Sequence, residues 1–297
     1  MKKSSLAVIA LVTVAASWGF AFVWMKDTID RQPYFDFLAT RFTLAAVIMF
    51  LVRPQLVRSL KPKFLLRGIA LGVALGLGYV TQTIGLELST AAITGFFTGL
   101  YIVLTPVFAW LLLKQKVSLK VALSVGLATV GLGLITLDGL GFDLGTLSLL
   151  ACAVLFALHI VGLGRWSPGS DTYALTVVQL ATVAVVCWIG ALQDGYQAPP
   201  DADVWNSIFF TAVFATAIAF FVQTWAQSIM DASRVAIILT SEVIFAAIFA
   251  VATGQEVLAL KTILGGTLMV VAMFIVEWPS KKDQPSDVTA GLDPLVH

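Results

Sequence analysis

The sequence predicts an all-α membrane protein: ten transmembrane helices forming two five-helix repeats of inverted topology. Three observations carry this reading. The 297 residues are 59% apolar and only 12% charged, with a mean hydropathy of +0.95. Soluble domains carry about 25% charged residues, so this chain cannot cover a water-facing surface. Ten apolar segments of membrane length follow one another along the chain. Short stretches then reappear, altered, about 140 residues later.

The segments run Ser4–Met25, Phe35–Val52, Phe64–Leu86, Ala91–Leu113, Leu119–Leu137, Gly145–Leu163, Tyr173–Leu192, Val204–Ile229, Ala232–Gly254 and Val257–Trp278. The first begins like a signal peptide, Met1-Lys2-Lys3. Apolar sequence continues through Trp18 to Trp24, too far for a cleaved leader, so an uncleaved helix is expected. The third carries Gly68, Gly72 and Gly76, a small-residue ridge for close helix approach. The ninth has a single carboxylate, Glu242, near its middle. As a helix of ~1.5 Å per residue it spans the ~30 Å hydrocarbon core and sets Glu242 near the midplane. The connections are short and hold most of the charge. The tail from Pro279 to His297 is polar and expected to be disordered.

Ten spans put both termini on one side. Loops on that side hold 14 of the 18 basic residues, from Lys2 and Lys3 through Arg53, Arg58 and Lys61 to Lys281 and Lys282. The other side holds Lys26, Arg31 and Lys261, while Arg41 lies within a span. The bias predicts cytoplasmic termini in the inner cell membrane. Shifting by 138 places Trp18–Val23 on Phe156–Val161 and Arg41 on Gln179. A shift of 141 places Val80–Thr83 on Phe221–Thr224, and one of 137 places Thr105–Ala109 on Glu242–Ala246. Five spans per half is odd, so the second half enters the membrane from the opposite face. The expected units are 1–140, 141–279 and the cytoplasmic tail 280–297.

Five stretches carry a family resemblance. They are WGFAFVWMK at Trp18–Lys26, the Arg41-Phe42 pair, TGFFTGLYIVLTPVFAWLLLKQK at Thr94–Lys116, ALHIVGLGRW at Ala157–Trp166, and TSEVIFAAIFAVATGQEVL at Thr240–Leu258. In this order they resemble the EamA-type transporters of the drug/metabolite transporter superfamily, over nearly the whole chain. The resemblance implies ten helices in inverted repeats and export of small metabolites, often amino acids. Such proteins often have Glu-Pro in the ninth helix. Here Val243 follows Glu242, so that helix is expected to be less kinked than the fourth, which contains Pro106.

A midplane carboxylate is costly and usually functional, so Glu242 leads as a ligand for an ammonium group or a carrier of a proton; a structural ion pair is the alternative. Arg41 can bind a substrate carboxylate, pair with Glu242 or Glu87, or snorkel to phosphate. Thr94, Thr98, Tyr101 and Thr105 share one helix face and should face the bundle interior, lining a cavity or bonding between helices. Gln82, Gln223 and Gln227 can serve a polar ligand or simply join helices. Trp18 and Phe22, one turn apart, can form an aromatic wall or pack. Trp24, Trp166, Trp205 and Trp278 sit near span ends as interfacial anchors. His159 can relay protons or gate, or be a satisfied core histidine.

No phosphate-binding loop, metalloprotease motif or zinc spacing is present, and Cys152 and Cys187 each sit in an apolar run. ATP-driven transport and intramembrane catalysis are therefore not expected. No cofactor or metal is expected. The expected partners are a small-molecule substrate and the lipid bilayer, not nucleic acid, and a monomer suffices. The rival transport reading is an uncoupled facilitator or channel for small neutral solutes, in which Glu242 is structural.

Overall fold

A computed structural model of the chain describes residues 3–88, 94, 97–136, 144–193, 195–254 and 259–278. Among these residues there are helices and no strands. The helices are α1 (Lys3–Ile29), α2 (Tyr34–Val52), α3 (Pro62–Leu88), α4 (Tyr101–Leu113), α5 (Leu119–Thr136), α6 (Leu144–Trp166), α7 (Thr172–Ala191), α8 (Ala202–Gln227), α9 (Ala232–Leu239), α10 (Glu242–Ala252) and α11 (Leu260–Glu277). Seven apolar helical runs are long enough to cross a membrane, α9 and α10 counting as one, Ala232–Ala252. Three shorter ones, Phe97–Leu113, Leu119–Leu134 and Leu260–Val276, are also apolar. The expected tail from Pro279, and the starts of the fourth and tenth segments, lie outside the described residues.

Local chemistry sets the helix ends. Pro33 precedes α2, and Pro54 follows it one residue beyond Arg53, where a proline disfavours further helix. Pro62 opens α3 at a position whose N–H is not needed. Asp171 caps α7 by accepting from Ala174 N, and Asp201 caps α8 by accepting from Asp203 N and Val204 N. Two surface ion pairs mark opposite ends of the bundle: Arg31 with Asp201, and Arg53 with Asp171. Between them α2 runs 19 residues, about 28 Å at 1.5 Å per residue.

The lateral surface is apolar, with Leu51, Leu66, Leu147, Val185 and Phe274 exposed. A multi-pass membrane protein presents this face to lipid tails. Inside, α3 packs on α6 and α7, α2 on α7 and α8, α5 on α11, and α1 on α8 and α10. The small-residue ridge of α3 faces α7: a Cβ on Gly72 would stand 2.6 Å from the Gln179 carbonyl oxygen. Gly19 performs the same service for α1. A Cβ there would lie 2.6 Å from Ala246 N and 2.8 Å from the Glu242 carbonyl oxygen, both backbone atoms of α10. Thr94, Thr98, Tyr101 and Thr105 are all buried, so their stripe faces the interior as expected. Trp24, Trp205 and Trp278 are exposed, whereas Trp166 is half-buried against Leu71, Leu163 and Leu175.

The fourth span, which contains Pro106, is interrupted by a turn at Leu100, just ahead of Tyr101. The ninth span carries no proline, yet it is interrupted at Thr240–Ser241 between α9 and α10. The cause is local. Thr240 Oγ1 donates to the Ile237 carbonyl at 2.7 Å and Ser241 Oγ to the Ile238 carbonyl at 2.6 Å. These hydroxyls compete with backbone amides for helix carbonyls. The local backbone bonds shorten to three-residue steps, Ser241 N to Ile238 O and Val243 N to Thr240 O.

Two stability measurements in detergent follow. Gly19→Leu forces α1 from α10 and lowers unfolding stability by about 1–3 kcal/mol, the usual cost of overpacking; an unchanged melting temperature contradicts the close approach. Asp171→Ala removes a cap worth about 1 kcal/mol. Burial alone would raise the Asp171 carboxyl, but the bonds from Ala174 N and Arg53 outweigh it and hold the pKa below the ordinary value. A depressed folded pKa means the stabilisation is present above about pH 3.9 and lost as pH falls through the folded value. The wild-type and Asp171→Ala stability curves should therefore converge in acid.

Candidate functional site

A cavity of about 90 Å³ lies within the bundle, running from the ends of α1 and α3 at Ile29 and Leu86 down to His159, Gln223 and Glu242. Its deep wall is shaped by the interrupted span. Because the chain restarts as a helix at Glu242, this residue occupies the first turn of α10. The positive end of the helix dipole therefore lies beside its carboxylate. Glu242 retains accessible surface and lines the cavity. Among the described residues no donor reaches its carboxylate within hydrogen-bond distance, and no basic side chain lies within ion-pair distance.

Arg41 shares the cavity but is otherwise occupied. Its Nε donates to Thr216 Oγ1 at 2.7 Å, and Nη2 to the Ala215 carbonyl at 3.2 Å. Nη1 meets Met25 Sδ at 3.4 Å. The guanidinium also lies 5.4 Å from the ring centroids of both Phe42 and Tyr79, within cation–π range. Thr216 and Ala215 belong to a π-helical turn, Val213–Ile218, inside α8. Such a turn disturbs the regular backbone ladder and turns carbonyls toward other donors. Trp18 Nε1 donates to the same Ala215 carbonyl at 2.8 Å. Of the three expected fates for Arg41, neither the pair with Glu242 nor that with Glu87 forms. The side chain is 2% exposed, so it does not snorkel either.

His159 and the amides sit at the deep end. His159 Nε2 is 2.7 Å from Gln179 Oε1, and Gln179 Nε2 donates to Thr224 Oγ1 at 3.2 Å. Gln223 Nε2 donates to Gln227 Oε1 at 3.2 Å, and Gln227 Nε2 to the Ile160 carbonyl at 2.6 Å. On the opposite wall Gln82 Nε2 reaches Thr98 Oγ1 at 3.4 Å. An aromatic wall joins these: Trp18 and Phe220 have centroids 5.6 Å apart, Tyr79 and Phe156 5.5 Å, Tyr79 and Phe220 6.2 Å.

Of the residues singled out from the sequence, Glu242, Tyr101, Arg41, Gln223 and Gln82 come together on the cavity. Thr98, Trp18, Phe22 and His159 join them. Three do not reach it, Thr94 among them, which is fully buried off the cavity. Thr105 is fully buried and donates to the Tyr101 carbonyl at 2.7 Å. Gln227 stands behind Gln223, where it borders a separate polar pocket with Asp231 and Arg234. Tyr79, Phe156 and Phe220 escaped the sequence reading. Their signal was available: Phe156 stands on Trp18 at the 138 shift, and Phe220 stands on Tyr79 at the 141 shift.

The EamA-like transporter family model matches residues 5–137 and again 143–278. An uncharacterized transporter of Archaeoglobus fulgidus is 31% identical over 274 residues, covering 92% of this chain and 86% of its own length. The uncharacterized transporter YoaV of Bacillus subtilis is 24% identical, covering 90% and 95%. A protein of known crystal structure superposes with a TM-score of 0.78 at 18% identity, over 92% of this chain and 96% of that one. That likeness concerns the fold.

The Arg41 contacts predict a structural penalty for a conservative change. A lysine ammonium cannot hold Thr216 Oγ1 and the Ala215 carbonyl as a planar fork does. Arg41→Lys should lose about 2 kcal/mol, in the range for hydrogen bonds to charged groups, seen as a lower melting temperature in detergent.

Proposed function

The chain belongs to the EamA-like transporter family, and from that premise we propose that it is a secondary transporter exporting small metabolites, amino acids and related zwitterions or cations, by alternating access. The observation that carries this reading is the Glu242 carboxylate: it lies on the cavity wall at the first turn of α10, without a hydrogen bond or ion pair among the described residues. Placing a carboxylate in the membrane interior is costly, and one with no protein partner is best accounted for by a ligand or a proton.

The ten-helix, two-repeat layout belongs to this proposal. It is supported by the two tandem family matches. It is supported also by the pattern of helix contacts, taking α9 and α10 as one span. Exchanging the first five spans for the last five turns α3–α6 into α8–α1, α3–α7 into α8–α2 and α4–α6 into α1 with α9 and α10; it returns α2–α7 and α5–α11 to themselves. The basic residues Arg53, Arg58, Lys61 and Lys63 share one end of α2 and α3. By the charge rule that end is cytoplasmic, with both termini, in the inner membrane.

The cavity extends toward the other end, past Ile29 and Leu86. On the cytoplasmic side the Gln223–Gln227–Ile160 bonds close it off from the polar pocket of about 310 Å³ that Gln227 borders. The conformation is thus a releasing, outward-facing one. Substrate and proton compete for one carboxylate, so protonation of Glu242 from outside expels the ammonium and couples export to proton entry.

In liposomes, Glu242→Gln should abolish counterflow of a zwitterionic or cationic substrate while leaving folding and insertion intact. An inward proton gradient should accelerate wild-type export and have no effect on the variant. Normal transport by Glu242→Gln sinks the assigned role, and indifference of the wild type to the gradient removes the proton coupling and leaves a facilitator.

A further inference from the structure

Two chains of hydrogen bonds end at the cavity, and each is anchored on a backbone carbonyl that can only accept. The Phe220 carbonyl takes the Thr224 hydroxyl proton at 2.7 Å. Thr224 Oγ1 must then accept from Gln179 Nε2, which turns Gln179 Oε1 toward His159. An amide oxygen only accepts, so the His159 ring carries its proton on Nε2 and leaves Nδ1 as a lone pair. In the second chain the Ile160 carbonyl orients the Gln227 amide, and Gln227 Oε1 orients that of Gln223. What remains at the end is Gln223 Oε1, buried and without a hydrogen-bond partner among the described residues. Gln223 is 2% exposed and lines the cavity, as do His159 and Glu242.

The deep wall therefore offers acceptors: a ring nitrogen, an amide oxygen and a carboxylate. Among the described residues the one guanidinium in the cavity already turns three of its five N–H groups to Thr216, Ala215 and Met25. We propose that this wall reads N–H donors, with Gln223 as the specificity-determining residue. The ligand is then an amine head group with at least two N–H bonds, held by Gln223 Oε1 and Glu242 and assisted by His159 Nδ1. Its apolar body lies against Trp18, Tyr79, Phe156 and Phe220. A carboxylate on the ligand is dispensable. The proposal rests on the transporter reading above and narrows its substrate class from zwitterions and cations in general to N–H-bearing amines.

The same aromatic wall makes an opposite outcome physically reasonable. Ring faces attract quaternary ammonium groups, which carry the charge but no N–H. N-methylation therefore separates the two kinds of recognition. Three probes suffice with the purified full-length protein: pentylamine, pentyltrimethylammonium and norleucine, which is pentylamine with a carboxylate on the amine-bearing carbon. Affinity is read by calorimetry or thermal shift in detergent.

Pentylamine should bind at least about tenfold more tightly than its trimethyl analogue, the loss expected when hydrogen bonds to buried acceptors go unmade. Gln223→Met should erase most of that difference by weakening pentylamine alone, and Gln223→Glu, which keeps an acceptor oxygen, should preserve it. Equal or tighter binding of the trimethyl compound to the wild type overturns the proposal, whatever the variants do. Norleucine binding tenfold tighter than pentylamine overturns the dispensable carboxylate and returns Arg41 to the ligand. Failure of all three probes to bind overturns the amine transporter reading itself.

Discussion

Arg41 is held in the membrane interior by acceptors that carry no charge, and the rest of the site follows from that. A guanidinium in a low-dielectric core needs partners for its N–H groups. Ordinary helical backbone cannot supply them, because its carbonyls are already engaged along the helix axis. The π-helical turn at Val213–Ile218 turns Ala215 O and Thr216 Oγ1 to the task. With three of its N–H groups engaged there, Arg41 makes no ion pair with Glu242 among the described residues. The carboxylate is thereby left able to take a ligand, as the proposed transport role requires. The same Ala215 carbonyl anchors Trp18, so one irregular turn positions both the fixed cation and part of the aromatic wall.

Irregular backbone within a bilayer is tolerable only where protein or a cavity satisfies it. The π-helical turn in α8 and the break between α9 and α10 fit that constraint. The turn in α8 faces Arg41 and Trp18, and the break at Thr240–Ser241 faces the cavity through Glu242. The break also explains Gly19. For α1 to close over the start of α10, its backbone must approach the Glu242 carbonyl and Ala246 amide more closely than any side chain allows. The helix with the carboxylate is thus packed backbone to backbone against the Trp18 helix.

The membrane class and most span limits were legible in the sequence because hydrophobic length is a direct reading of bilayer thickness. α2 and α7 begin and end within a residue or so of expectation. Glu242, Arg41 and Gln223 were legible as candidates for the cavity wall because polarity inside an apolar run is conspicuous. Phe156, Tyr79 and Phe220 were not, since an aromatic in an apolar helix carries no such contrast; only the repeat marks them. Thr105 was misplaced for the converse reason. A hydroxyl on the expected face can satisfy itself on its own helix, as it does on the Tyr101 carbonyl. The interruption at Thr240–Ser241 was not legible, because no proline stands there. A proline removes a backbone donor wherever it stands, whereas Ser and Thr disturb a helix only when their rotamers turn back to the carbonyls, and rotamers cannot be read from sequence.

Charge in the cavity links Arg41 to the coupling proposed for Glu242. The Arg41 guanidinium is a fixed positive charge. With Glu242 ionised and nothing bound, the two charges cancel. A bound monovalent ammonium leaves one net positive charge, and so does a proton on Glu242. The loaded and protonated states therefore look alike to the bilayer, while the empty ionised state differs from both. A carrier that crosses between its two faces only with one net positive charge exchanges one proton for one ammonium. A zwitterion breaks this equivalence, because its carboxylate cancels the charge it brings. The dispensable carboxylate of the ligand and the stoichiometry of exchange are in this sense one question, and the fixed guanidinium of Arg41 is what joins them.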